Sequence, residues 1–486
     1  MSPLSRREFF EQSLFAAAAA ATAVSAAKLG AAEAPSTAAK PVAAVDTLQH
    51  AVIGCRIRGK VHAAEFGRVP GVNLAYVCDP DLELANQLAD AVEKAQGKRP
   101  TVVQDLRKIY DDKSVDTVSI AAPNHWHALA AVWAMQAGKD AYVEKPVCHN
   151  IVEGRRMVDA ARKYKRICQG GTQNRSVGAL HGAADYLREG KLGEVKLART
   201  IIYGKRGAIG GPGVCEMPPQ CDFNLWLGPA QNEKPTRAKL HYDWHWVWDT
   251  GNGELGNNNI HMVDICRWLL RLDGIGDSAM SIGGRVGYQD AGETPNTQMT
   301  VHRYGDTTII QEVRGLKTAP FSDKFKSGYV IYGTEGLIAD GSLFEPDGTL
   351  VRKFEGPSVN HFANFIDAVR SRNPDDLKAE ILKGHQSTAL CHVANISHRL
   401  GAPTATADIQ SRLSEPGVHD EVRATFARMV EHLKENEVDT AKTPLVLGPD
   451  LKIDSANEKF VDNSAANALL GREYRAPFVL PTAAQL

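Results

Sequence analysis

The stretch Ser119-Ile-Ala-Ala-Pro-Asn-His-Trp-His-Ala128 and its sequel Ala141-Tyr-Val-Glu-Lys-Pro146 constrain the fold more than any other part of the chain. Each opens as a short apolar run and turns abruptly polar, the pattern of a buried strand that ends at a rim. Between them, Ala, Val, Trp and Met recur at helical spacing from Ala128, and Gly138-Lys139 supplies a stop. A strand, a crossover helix and a second strand of this length make a parallel pair. Parallel sheets collect their ligands beyond the carboxyl ends of their strands. Asn124, His125, Trp126, His127, Glu144 and Lys145 are therefore expected on one rim. A lysine that ends a buried strand loses hydration, and its pKa falls toward the range useful for proton exchange. The competing reading is an ordinary solvated strand-end lysine.

The chain before this unit has the same alternation. Gln49-His-Ala-Val-Ile-Gly54 is a buried strand that runs into Gly54-Cys-Arg-Ile-Arg-Gly59, and a helical pattern starts at Lys60. The turn approaches the G-x-G-x-x-G form that lets backbone meet a dinucleotide pyrophosphate, with Gly54 and Gly59 in register and Ile57 between them. Arg56 occupies the middle glycine. Its side chain either lies outward or brings a guanidinium to phosphate. A second strand, Gly71 to Asp79, ends in an acid suited to a ribose diol and hostile to a 2′-phosphate, which favours NAD over NADP. The alternative for Asp79 is a helix N-cap. Strands at Thr101–Asp105 and Asp116–Ala121, with a helix from Leu106, complete the pattern of a doubly wound parallel sheet. Ile167 to Arg175 is a further strand, ending in Gln173, Asn174 and Arg175. These residues are placed to hold cofactor or substrate, or else to serve as an interdomain hinge.

A chain of 486 residues has room for more than one domain. Its net charge of -1 gives no global electrostatic case for nucleic acid or an anionic membrane. Arg6-Arg7 precedes an apolar, alanine-rich run from Leu14 to Ala27, and Ala32-Glu33-Ala34 offers a small-residue cleavage site. Together they read as a twin-arginine export signal over residues 1–34, with a periplasmic destination. The run is short of the ~20 apolar residues a spanning helix needs. The Pro, Ser, Thr and Ala residues that follow read as a linker to residue 47. Eight scattered cysteines form no C-x-x-C pair, so no metal site is expected. Cys215 and Cys221 share a loop and have the option of pairing.

Beyond residue 173 a second α/β domain is expected to residue 400, then a helical extension and tail over residues 401–486. Val195 to Tyr203 is a clear strand, and the Gly- and Pro-rich stretch after it reads as a site-lining loop. In His241-Tyr-Asp-Trp-His-Trp-Val-Trp-Asp249, an extended chain would put Tyr242, Trp244, Trp246 and Trp248 on one face. Aromatic rings suit the C–H faces of a sugar, although such a stripe also serves a core or an interface. Further on, helical spacing puts Asn257 and His261 on one face, with Asp264 one turn later. An imidazole beside a substrate hydroxyl is a natural general base, and a histidine satisfied within the core is the alternative.

The motifs Gly54…Gly59, Pro123-Asn-His-Trp-His127, Glu144-Lys145-Pro146 and Gly253-Glu-Leu-Gly-Asn-Asn-Asn-Ile-His261-Met-Val-Asp264 resemble the Gfo/Idh/MocA family of NAD(P)-dependent oxidoreductases. The resemblance implies a Rossmann domain plus an α/β domain with a large open, mainly antiparallel sheet. It implies Lys145 and His261 as catalytic groups, a sugar or cyclitol substrate, and a homo-oligomer. Many members carry Asp where this chain has Asn257, so proton exchange falls to His261 and Lys145, with Asp264 or Glu254 in support. Cofactor contacts are expected from Gly54, Arg56, Ile57, Gly59, Asp79, Pro123, Asn124, His127, Glu144, Lys145, Gln173 and Asn174. Substrate contacts are expected from Trp126, Arg175, Tyr242, Trp244 and Asp264. Three functions remain open at this point. They are hydride transfer between a sugar, glycoside or cyclitol and tightly bound NAD, redox-neutral glycoside cleavage, and non-catalytic sugar binding.

Overall fold

A computed structural model describes residues 47–213, 215–231, 239–325 and 328–486. The export signal and nearly all of the linker expected ahead of Thr47 lie outside the described residues. The first sheet holds β1 (Leu48–Ile53), β2 (Val72–Cys78), β3 (Thr101–Val103), β4 (Thr117–Ile120), β5 (Asp140–Val143) and β6 (Cys168–Gly170). Its order is β3-β2-β1-β4-β5-β6 with every pairing parallel, the doubly wound arrangement expected. β4 and β5 are buried along their whole length, as strands covered on both faces must be. The order reverses between β1 and β4, and a doubly wound sheet opens its ligand crevice at that point.

One boundary differs from the expectation. The helix after β4 spans Asn124–Gln136, so Asn-His-Trp-His is its first turn rather than the frayed end of a strand. Pro123 stands at the N-cap with φ -59° and ψ 155°, and its ring sets the entry to the helix one turn early. The helix is buried on almost every side, which explains its weak amphipathic pattern.

The second sheet gathers β7 (Val195–Tyr203), β8 (Ser278–Gly284), β9 (Thr297–Tyr304), β10 (Thr307–Arg314), β11 (Tyr329–Gly333), β12 (Gly336–Ala339), β13 (Ser342–Phe344) and β14 (Leu350–Lys353). It continues through β15 (Ala402–Thr404), β16 (Leu445–Leu447) and β17 (Leu451–Asp454), which also pairs with β18 (Lys459–Phe460). β7 and β10 run parallel and their neighbours pair antiparallel, so the sheet is mixed and mainly antiparallel. The stretch read as a helical extension thus also contributes strands, alongside helices Thr406–Leu413 and Asp420–Glu435. Phe478, Leu480 and Leu486 of the tail are buried in the core of the first domain.

The aromatic stretch His241–Asp249 is not extended. It coils through a helical turn, Leu240–Asp243, into a 3-10 turn, Trp244–Trp246, so its tryptophans do not share a face. Trp246 is buried, whereas Tyr242 and Trp244 are half-buried. Cys215 and Cys221 are free thiols and do not pair. Among the described residues, no helix is long and apolar enough to cross a membrane.

Candidate active site

The turn after β1 is drawn tight. Gly54 has φ +87°, and a Cβ there would stand 2.7 Å from the Ala121 carbonyl, while one on Gly59 would lie 1.8 Å from Gly54 O. Only glycine fits either position. The helix that follows, Ile57–Phe66, carries no side-chain cap on its first turn. Uncapped N–H groups behind a glycine turn fit the pyrophosphate of a dinucleotide. Arg56 does not block that approach, because its Nη1 donates to His241 O at 2.7 Å and its guanidinium lies 5.8 Å from the Tyr242 ring. Asp79, buried at the end of β2, accepts from Cys55 N at 2.8 Å and Asp81 N at 2.9 Å. It therefore fixes the turn, with further lone pairs on each oxygen.

Glu144 and Lys145 leave the end of β5. Glu144 Oε1 accepts from Arg58 Nε at 2.9 Å and Nη2 at 2.5 Å, faces His62 Nε2 at 3.1 Å, and accepts from Gln173 at 3.2 Å. Burial alone would raise this carboxyl, yet the Arg58 charge and the His62 contact hold it well below the usual carboxylate range. Arg58 and His62 escape sequence reading, although their spacing on one helix face is a signal that could have paired them with an acid.

Lys145 is half-buried, and its Nζ donates to Asn257 O at 2.6 Å. Burial pushes it down to about 8, against the pull of the Glu144 carboxylate. Asn257 belongs to a π-helical turn, Leu255–Asn259, that passes directly into the helix Ile260–Leu269 carrying His261. Such turns recur at functional sites because they re-aim the residues they hold. Asn259 anchors this one, its Oδ1 accepting from Thr200 Oγ1 at 2.7 Å and Gln311 Nε2 at 2.9 Å. His261 is pushed down to about 3, first by burial and then by the Lys145 charge. Its Nδ1 is buried without a hydrogen-bond partner. The lysine of the first domain and the histidine of the second thus share one electrostatic neighbourhood.

The same neighbourhood includes Glu254, whose carboxylate raises the Lys145 pKa and is gripped by Arg206 at 3.0 and 3.2 Å and by Asn258. Arg206 lies 5.4 Å from the Trp246 ring, and the two line a cavity with Glu254, Arg285 and Tyr288. His245 stacks on Trp244 at 3.6 Å. It is pushed down to about 3, chiefly by burial, with Lys145 among the charges acting on it. The coiled aromatic segment therefore borders the lysine, and Tyr242 and Trp244 within it are half-buried.

Several expected contacts are taken up by the protein itself. Trp126 is buried against Trp133 and Phe478, and its Nε1 donates to Trp226 O at 3.0 Å. Arg175 and Asp264 form a buried pair at 2.7 Å, with Ser387 Oγ donating to the same carboxylate. These three residues are interior supports, which leaves them no surface for a substrate. Asn124 Nδ2 donates to Asn252 Oδ1 at 2.8 Å, and His127 bridges Pro146 O and Ala122 O at 2.6 and 2.8 Å. Both tie the first helical turn to its surroundings, while Asn174, next to Gln173 in the chain, is half-buried.

Sequence comparison matches residues 48–172 to the "Oxidoreductase family, NAD-binding Rossmann fold" and residues 212–415 to the "Oxidoreductase family, C-terminal alpha/beta domain". The chain belongs to the Gfo/Idh/MocA oxidoreductase family. Its first domain is the family's NAD-binding domain, in agreement with the glycine turn and the uncapped helix. A glycosyl hydrolase family 109 protein of Shewanella baltica is 31% identical over 128 residues, covering 26% of this chain and 28% of that protein. One from Akkermansia muciniphila is 27% identical over 128 residues, covering 26% of this chain and 27% of that protein. The match thus spans under a third of these curated relatives. Among solved structures, the WlbA dehydrogenase from Bordetella pertussis, in complex with NADH and UDP-GlcNAcA, has a TM-score of 0.55 at 20% identity, covering 73% of this chain and 97% of that one. A levoglucosan dehydrogenase, in complex with NADH and levoglucosan, has a TM-score of 0.53 at 18% identity, covering 72% and 96%. Both likenesses concern the fold of this Gfo/Idh/MocA member.

Proposed function

We propose that this protein oxidises a hydroxyl-bearing carbon of a sugar, glycoside or cyclitol by hydride transfer to tightly held NAD. The observation that carries the reading is the meeting of Lys145 with the turn that leads into His261. Bound NAD supplies the hydride acceptor. Lys145, as the neutral amine, takes the hydroxyl proton as the C–H bond breaks, and returns it in the reverse direction. His261, held neutral, donates a hydrogen bond from its ring N–H to the oxygen of the same hydroxyl and orients it. This division gives the base role to the lysine, although the sequence points to the imidazole as the natural general base. An imidazole held near 3 is too weak a base at neutral pH, whereas an amine near 8 titrates in the useful range. Asp79, with no basic residue in the two positions after it, supports NAD over NADP. The paired arginines and apolar run support export in the folded state, with the cofactor loaded beforehand and recycled within the site.

A second reading draws on the curated relatives named as glycosyl hydrolases. In it, transient oxidation acidifies the neighbouring C–H, that proton is lost as the aglycone leaves, water adds across the resulting enone, and the hydride returns. Incubating purified protein with an aryl glycoside separates the two. Free aglycone without net NADH selects the second, and an oxidised sugar with reduced nucleotide selects the first. A protein that releases no nucleotide on denaturation and turns over no glycoside would refute both.

A further inference from the structure

We propose that Asp81, Cys221 and His241 form a binding site for one divalent transition-metal ion of the zinc class. One ligand atom from each of the three lies within 4.8 Å of the other two. Asp81 follows β2, whereas Cys221 and His241 belong to the long segment after β7, so the cluster joins two distant parts of the chain. Main-chain bonds hold it together. Asp81 and Cys221 form an antiparallel bridge, Leu82 N donates to Gln220 O at 3.2 Å, and Asp222 N donates to Pro80 O at 2.9 Å. His241 is held from behind by the bond from Arg56 to its carbonyl, and its Nε2 faces Asp81 Oδ2 at 3.0 Å.

The chemistry of the set matches the ion. Zinc takes sulfur at ~2.3 Å and nitrogen or oxygen at ~2.0–2.2 Å, which places tetrahedral ligand atoms roughly 3.3–3.6 Å apart. Small side-chain adjustments bring the three atoms to that spacing. A thiolate and a carboxylate neutralise the ion, and imidazole completes a mixed donor set of borderline softness. Asp81 Oδ1 accepts from Glu83 N at 3.0 Å, which orients the carboxylate and leaves Oδ2 for the ion. Three protein ligands leave one position open. The ion would staple the segment after β7 onto the turn after β2. This inference stands apart from the hydride reading, since it uses neither Lys145 nor His261.

The test is a titration of chelator-treated, dialysed full-length protein with Zn2+ in competition with a chromophoric chelator. The expected result is one tight site per chain, weakened more than about 100-fold by Cys221→Ser, beyond the ~10–100-fold typical of outer-shell changes. Cys215→Ser, in the same segment but outside the cluster, is expected to bind as the wild type does. With Co2+ as the probe, the wild type is expected to show a thiolate-to-metal charge-transfer band. Absence of that band, or of a tight Zn2+ site in the wild type, would overturn the proposal whatever the fate of the variants. So would wild-type affinity in Cys221→Ser.

Discussion

A lysine ammonium and an imidazole compete for one proton wherever they share a pocket, and burial decides which form each takes. Here burial lowers both, to about 8 for Lys145 and about 3 for His261, so the lysine is the group that changes charge near neutrality. Lys145→Ala is expected to lower turnover by about 100-fold or more, the usual loss when a positioned general base is removed. Equal nucleotide content in mutant and wild type would show that binding is spared. Oxidation needs the neutral amine, so single-turnover reduction of bound nucleotide is expected to rise with pH through about 8. Lys145→Arg should flatten that profile, because guanidinium stays protonated. The meeting of Lys145 with the turn that leads into His261 joins two motifs whose local spacing carries the signal. Arg58 and His62 were not legible, since their partner Glu144 lies 86 and 82 positions away. Trp126 and Arg175 misled for a physical reason. An aromatic ring and a guanidinium serve a core contact as well as a ligand, and only tertiary neighbours tell them apart.

At the scale of elements, the helix Ile151–Lys163 opens with a reciprocal cap. Asn150 accepts from Glu153 N at 2.9 Å, and Glu153 accepts from Asn150 Nδ2 at 2.9 Å and His149 N at 2.8 Å. The Glu153 carboxyl is buried deeply enough to be raised to about 7. The folded state therefore binds a proton that the unfolded chain releases above about 4.5. That contribution is fully present below the unfolded value and is lost as pH rises through about 7. Thermal unfolding followed across this window should show wild-type stability falling with pH, with a shallower slope in Glu153→Gln. The strand alternation around β1 to β6 was readable because both sheet faces are buried and turn residues punctuate each strand. The π-turn at Leu255–Asn259 was not, because its hydrogen-bond shift is imposed by Thr200 and Gln311 of the second sheet. The same holds for His241–Asp249, whose alternating pattern suits a strand while its own carbonyls close a coil.

Across the whole molecule, the two sheets were legible and the route of the tail was not, beyond its return to the body. Nothing in the local sequence of the last stretch says which core it completes. Phe478 is buried beside Trp126 and Trp133, and Arg475 binds Asn224 and the Gly228 carbonyl next to it. Phe478→Ala is expected to cost roughly 3–5 kcal/mol in denaturant unfolding, the range for an aromatic removed from a core. A loss below about 1 kcal/mol would mean that the tail merely lies on the surface. Tyr164 donates to the carbonyl of Leu486, made 322 positions later on the ribosome. Synthesis order then has a bearing on maturation. The nucleotide-binding half leaves the ribosome early and stays unfinished until residues from the far end arrive to seal it. A check for completed structure made before Phe478, Leu480 and Leu486 emerge would find the core of that domain still open.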